Sequence, residues 1–115
     1  MNNNITNAEI KGRLKSNGNQ LAVVSKSTAY TAQLTDEVIL CNGSSAGFII
    51  TLPTAIGVPG QTYTIKKTDN TNNNITITTT DSQTIDGSTN YILSSQFKYL
   101  RVISDGEKWN IIGSN

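Results

Sequence analysis

An all-β domain is what this sequence predicts, and three observations carry the prediction. Turn signals recur at short intervals, at Asn42-Gly43, 57–60, 69–74, Asp86-Gly87 and Asp105-Gly106, with apolar runs between them. Within those runs apolar and polar residues alternate with a period of two, as in Thr62-Tyr63-Thr64-Ile65 and Ile75-Thr76-Ile77-Thr78, which is the strand period. Only 15% of residues are charged, while Thr, Asn and Ser supply much of the polar surface. Thr favours strands, Asn favours turns, and both lower helix propensity. Together these observations predict a small antiparallel β-sandwich of jelly-roll-like type.

The chain divides into an N-terminal arm, residues 1–27, and a β-domain, residues 28–115. Ala8-Glu9-Ile10-Lys11-Gly12-Arg13-Leu14-Lys15 is the only charge-dense stretch, and Ser16-Asn17-Gly18-Asn19 breaks it. Ile10 and Leu14 are one helical turn apart, but so short a helix is marginal alone and Gly12 weakens it, so an extended arm that orders on a partner is expected. Residues 20–24 form a candidate first strand, belonging either to the domain or to a contact with a neighbouring chain. Eight strands are then expected at 29–33, 37–41, 47–52, 61–68, 75–80, 91–93, 99–104 and 109–112. Both prolines, Pro53 and Pro59, lie in the corner between two of these, with Gly57 and Gly60 beside them. Proline cannot donate to a ladder and glycine takes positive φ freely, so the chain is expected to turn back there into a paired strand.

Alternation assigns the faces. Val38, Leu40, Phe48, Ile50, Leu52, Tyr63, Ile65, Ile75, Ile77, Leu100, Val102, Trp109 and Ile111 are expected to line the core. The opposite face is polar at Thr62, Thr64, Lys66, Thr76 and Thr78, but apolar at Ile39, Ile49, Tyr99, Ile103 and Ile112. Strands apolar on both faces are central or buried against another subunit, so these five are the candidate subunit interface.

Composition excludes several function classes. The formal net charge is +1, with no histidine and no basic run longer than Lys66-Lys67, so a nucleic-acid footprint is not expected. At 115 residues there is room for one core. No stretch approaches the roughly 18 apolar residues that span a bilayer, and the polar start is not a signal peptide, so cytoplasmic synthesis without a membrane span is expected. Cys41, the single cysteine, has no intrachain partner and reads as a small apolar strand residue. Catalysis needs a nucleophile with a base, paired carboxylates or a metal. The acidic residues fall mostly at turns, where bonds to the backbone explain them, so no enzyme and no cofactor are expected.

Tyr30-Thr31-Ala32, Asp36-Glu37-Val38-Ile39-Leu40, Ile49-Ile50-Thr51-Leu52-Pro53-Thr54-Ala55 and Gly60-Gln61-Thr62-Tyr63-Thr64-Ile65-Lys66-Lys67-Thr68-Asp69 follow one another in order. Ile75-Thr76-Ile77, Thr84-Ile85-Asp86-Gly87, residues 99–106 and Trp109 continue the series. The series resembles a module of tailed-bacteriophage fibre proteins. The resemblance implies a compact, trimeric β-domain in a virion fibre. The absence of a long shaft, a collagen-like repeat or heptads favours a head fibre or capsid decoration protein over a long tail fibre. Under this reading the arm, through Ile10, Lys11, Arg13, Leu14 and Lys15, attaches the domain to the capsid or another virion protein. The alternative is a tail-fibre tip that binds host surface glycan, with Asn70, Asn72, Asn73 and Tyr91 as receptor contacts. Asp69, Thr71 and Asn73 have a one-three-five oxygen spacing, but the loop lacks the glycine and the later glutamate of a calcium site, and a solvated turn is expected. Trp109 and Tyr99 have rings that would stack on a sugar if exposed, and the alternation with Ile111 instead places Trp109 in the core.

Overall fold

The computed structural model describes residues 20–115, and these form two mixed β-sheets packed face to face with no helix. The strands are β1 (Val23–Lys26), β2 (Tyr30–Thr31), β3 (Val38–Cys41), β4 (Phe48–Thr51), β5 (Thr62–Lys67), β6 (Ile75–Thr78), β7 (Asn90–Leu93), β8 (Tyr99–Ser104) and β9 (Trp109–Ser114). One sheet has the order β1-β3-β5-β8-β9 and the other β2-β4-β6-β7. All eight expected strands are present.

The pairing departs from the antiparallel expectation in the first two thirds of the domain. From β1 to β6 successive strands alternate between the sheets, so β1, β3 and β5 pair in parallel, and so do β2, β4 and β6. The chain thus winds as a three-turn coil, each turn giving one strand to each sheet. Parallel neighbours need a long crossover, and here the strand in the opposite sheet supplies it. The Pro/Gly corner therefore makes no hairpin, because it carries the chain from β4 in one sheet to β5 in the other. Only β7, β8 and β9 add antiparallel, as expected of a sandwich.

This winding gives the domain two ends. The parallel strands of the five-stranded sheet finish at an upper end, where 27–29, 42–47, 68–74 and 94–98 connect the sheets. At the lower end lie Gln20, where the described chain enters, and the connections 32–37, 52–61, 79–89 and 105–108. β1 is part of the sheet, and Glu37 Oε1 fixes its start by accepting the Ala22 N–H at 2.7 Å. The arm boundary expected at residue 27 therefore lies too late, and a chain begun at Thr28 would lack an edge strand.

Rows of core side chains run across the coil. Val24, Ile39, Ile65 and Leu100 are in register in one sheet, and Tyr30, Ile50, Ile77 and Tyr91 in the other. Trp109 is fully buried, tilts against Tyr63 at 5.5 Å, and donates its indole N–H to Pro53 O at 3.2 Å. Burial of such a side chain contributes about 2 to 3 kcal/mol, and the indole proton is not left unpaired. Ala32, Ala55, Ile85 and Leu93 join the expected core, whose own members are buried or packed against the buried cluster except in β3. There Ile39 and Cys41 point inward, while Val38 and Leu40 are half-buried on the outer face.

Candidate binding surfaces

The connections at the upper end are tied by a buried ion pair. Lys67 follows the inward phase of β5, in register with Cys41, so its ammonium enters the protein interior. It lies 2.6 Å from Asp69 Oδ2, with side-chain exposures of 0% and 4%. Asp69 also accepts the Gly43 N–H at 2.6 Å, the Thr71 N–H at 3.1 Å and the Thr71 hydroxyl. Burial alone would raise the Asp69 carboxyl, but hydrogen bonds from Lys67, Thr71 and Gly43 outweigh it and hold the group well below the usual carboxylate range. Asn73 donates its amide to Gly43 O at 2.8 Å, and a Cβ at Gly47 would lie 2.5 Å from Asn74 O. Loops 42–47 and 68–74 are thereby locked together. Asp69 and Thr71 thus serve an internal cation, the Lys67 ammonium, while Asn73 of the same spacing bonds Gly43. Among the described residues no three His, Cys, Asp or Glu side chains cluster to hold a metal.

The carboxylates of Asp36, Glu37, Asp86 and Asp105 hold backbone or hydroxyl groups. Asp36 accepts the Tyr30 hydroxyl at 2.6 Å and the Gln33 N–H at 2.8 Å. Asp86 accepts the Ile111 N–H, and Asp105 accepts those of Glu107 and Lys108. The N–H of Lys108, the Asn110 amide and the N–H of Glu107 hold the Asp105 carboxyl down at about 2. Burial, then the Asp36 hydrogen bond and charge, push the Tyr30 hydroxyl up to about 12. The Cys41 thiol is likewise pushed up to about 12, by burial and then by the Asp69 charge, so its reactive thiolate is suppressed.

The expected site residues fall in several places. Ile10, Lys11, Arg13, Leu14 and Lys15 lie outside the described residues. Ile39 is wholly buried within a single chain, so it cannot reach a neighbouring subunit. The phase of Val38-Ile39-Leu40-Cys41 is the reverse of the one expected. Ile49 is exposed on the outer face of the four-stranded sheet. Tyr99 and Ile103 are half-buried on the outer face of the other sheet, and Ile112 is exposed beside the β8–β9 bulge. These residues therefore do not form one surface. Asn70 and Asn72 are exposed at the loop tip, whereas Asn73 is turned into the upper-end clamp and Tyr91 is half-buried opposite Ile77.

Two surfaces emerge that alternation alone did not delimit. On the four-stranded sheet, Ile49, Thr76 and Ile92 form one outward row and Thr31, Thr51, Thr78 and Asn90 the next, with Ile49 47% and Ile92 49% exposed. None of its strands carries a charge. On the five-stranded sheet the outward positions include Lys66 opposite Tyr99 and Thr64 opposite Arg101. Phe97, just before β8, is 55% exposed with φ of 70°, and the Lys66 ammonium lies 5.2 Å from its ring. Charge is also uneven between the ends. Asp36, Glu37, Asp81, Asp86, Asp105 and Glu107 lie at the lower end with Lys108, while Lys26, Lys66 and Lys98 lie at the upper with the Lys67–Asp69 pair. Lys66 and Arg101 sit at polar phases that read as plain solvent-facing positions until strand pairing brings them onto one patch. No protein-family model and no curated protein matches this chain.

Proposed function

We propose that this chain is a non-enzymatic structural protein of a tailed-phage virion, a short trimeric fibre or capsid decoration subunit. The observation that carries the reading is the uncharged outer face of the four-stranded sheet, where Ile49 and Ile92 flank Thr76 in open view. Three copies turning this face to a common axis would cover the exposed isoleucines without burying a single charge. The other outer face, with Lys66 and Arg101, would remain outside. Gln20 at the lower end puts the arm's point of entry away from the loop tips at Asn70 and Asn72, which suits attachment at one end and display at the other. The resemblance to fibre modules supplies the virion setting.

The test is the mass of the full chain in solution by light scattering, with Ile92→Arg beside it. Three chain masses for the parent and one for the variant are expected. A parent that stays monomeric at tens of micromolar would sink the assembly. Antibodies against the domain should also decorate purified phage particles, and failure to do so would remove the virion setting alone.

A further inference from the structure

We propose that the outer face of the five-stranded sheet, at Lys66, Arg101, Tyr99 and Phe97, binds an acidic polysaccharide. Three features of this patch converge on that ligand. The first is cationic charge without an internal acidic partner. Neither Lys66 nor Arg101 has an acidic partner among the described residues, whose ion pairs are Lys67–Asp69 and Lys108–Asp105. No strand of this sheet contains Asp or Glu. The two cations are diagonal neighbours, because Lys66 pairs with Tyr99 and Thr64 with Arg101. Groups so placed are within reach of one ligand.

The second feature is a pair of aromatic rings beside the cations. The Tyr99 ring lies across Gly113, where an added Cβ would sit 3.6 Å from its Cε2 and from its hydroxyl oxygen. Phe97 stands at the upper rim, with the Lys66 ammonium over its ring. The third is backbone strain. A bulky residue at φ of 70° is an outlier, and such outliers concentrate where a side chain must be presented. Here the strain holds an apolar ring out in solvent.

Rings with open faces take the apolar C–H side of a sugar, a guanidinium takes a carboxylate in bidentate fashion, and an ammonium acts as a point charge beside it. A peptide adding by strand pairing would use a sheet edge rather than this face. Single-stranded nucleic acid would need a longer basic track than two side chains. The patch is intact in a single chain, so the inference does not rest on the trimer or on the virion setting.

Binding of the full chain is measured by calorimetry against oligogalacturonate, with a neutral maltooligosaccharide and oligo-dT as comparison probes. Oligogalacturonate should bind, the neutral sugar should bind at least about tenfold more weakly, and affinity should fall with added salt. Lys66→Gln and Arg101→Gln should each weaken it about tenfold while near-UV circular dichroism is unchanged. Phe97→Gly removes ring and strain together, so it should weaken binding about fivefold without lowering the unfolding midpoint. Equal binding of the neutral sugar, binding unchanged in both cation variants, tighter binding of oligo-dT, or no binding at millimolar oligogalacturonate would each overturn the proposal. Repeating the titration on Ile92→Arg separates it from the assembly, since loss of the trimer should leave this affinity intact.

Discussion

The two outer faces of this sandwich are built from the same strand geometry and differ in what their outward positions carry. The four-stranded face has Ile, Thr and Asn and no charge. The five-stranded face has Lys66 and Arg101 beside Tyr99. Burying the first against protein costs little desolvation, whereas burying the second would strand two cations. The difference separates a surface suited to permanent cover from one suited to an exchangeable anionic ligand.

The largest effect should come from destroying both faces at once, by releasing the clamp that joins the sheets at the upper end. Asp69→Ala leaves the Lys67 ammonium buried without its carboxylate and unbonds the Gly43 and Thr71 N–H groups. A loss of about 3 to 5 kcal/mol in denaturant unfolding is expected. Lys67→Met should cost less, because Asp69 keeps the Gly43 and Thr71 donors. Equal costs would mean that the ion pair, and not the backbone anchoring, holds the loops.

Next in size is the contrast between the faces themselves. Ile92→Arg should weaken self-association by about a hundredfold or more, the order expected for a charge buried without a partner. Thr64→Arg, adding the same charge beside Lys66 and Arg101, should leave the mass in solution unchanged. If both variants dissociate the assembly, the two faces are not functionally distinct.

How far these faces were legible in the sequence depends on what alternation encodes. It marks strands and usually their inward phase, as in Thr62-Tyr63-Thr64-Ile65, where Tyr63 and Ile65 are buried as expected. In Val38-Ile39-Leu40-Cys41 every position is apolar, so alternation carries no phase, and the inward pair turned out to be Ile39 and Cys41. Parallel and antiparallel strands alternate alike, and only the connections tell them apart. Asp105-Gly106 does close the β8–β9 hairpin. Asn42-Gly43 instead opens a crossing between sheets, and Asp86-Gly87, with φ of 47° and 86°, closes a small turn inside a long connection. Phe97 was missed because an aromatic in a polar run carries no periodic signal, and its exposure follows from the pairing of β8 with β5. The arm candidates, Lys11 and its neighbours, precede the described residues.

A smaller effect is expected from pH. The folded Asp69 carboxyl titrates below its ordinary value near 4, so between those two values the unfolded chain binds the extra proton. Stability from this group is therefore complete above about pH 4 and is lost as pH falls through the folded value. Asp69→Asn should flatten the dependence of the unfolding midpoint on pH below about 4, leaving the slope that Asp105 contributes. An unchanged slope would place the acid sensitivity elsewhere.

The smallest effect sharpens the comparison by asking whether a change at either face reaches the interior. Cys41 lies in register between Lys26 and Lys67 on the inner side of the five-stranded sheet, fully buried, with its thiol pushed up to about 12. A thiol reagent at pH 8 can attack it only through opening of the fold, so the labelling rate reports that opening. Surface substitutions usually change stability by less than about 0.5 kcal/mol, so Arg101→Gln should alter the labelling rate by no more than about twofold. Ile92→Arg should do the same once compared at the same oligomeric state. Asp69→Ala should raise the rate by about a hundredfold or more, in line with its expected loss of stability. If Ile92→Arg instead labels as fast as Asp69→Ala, its effect on assembly runs through the core, and the uncharged face is a support for the fold rather than a contact surface.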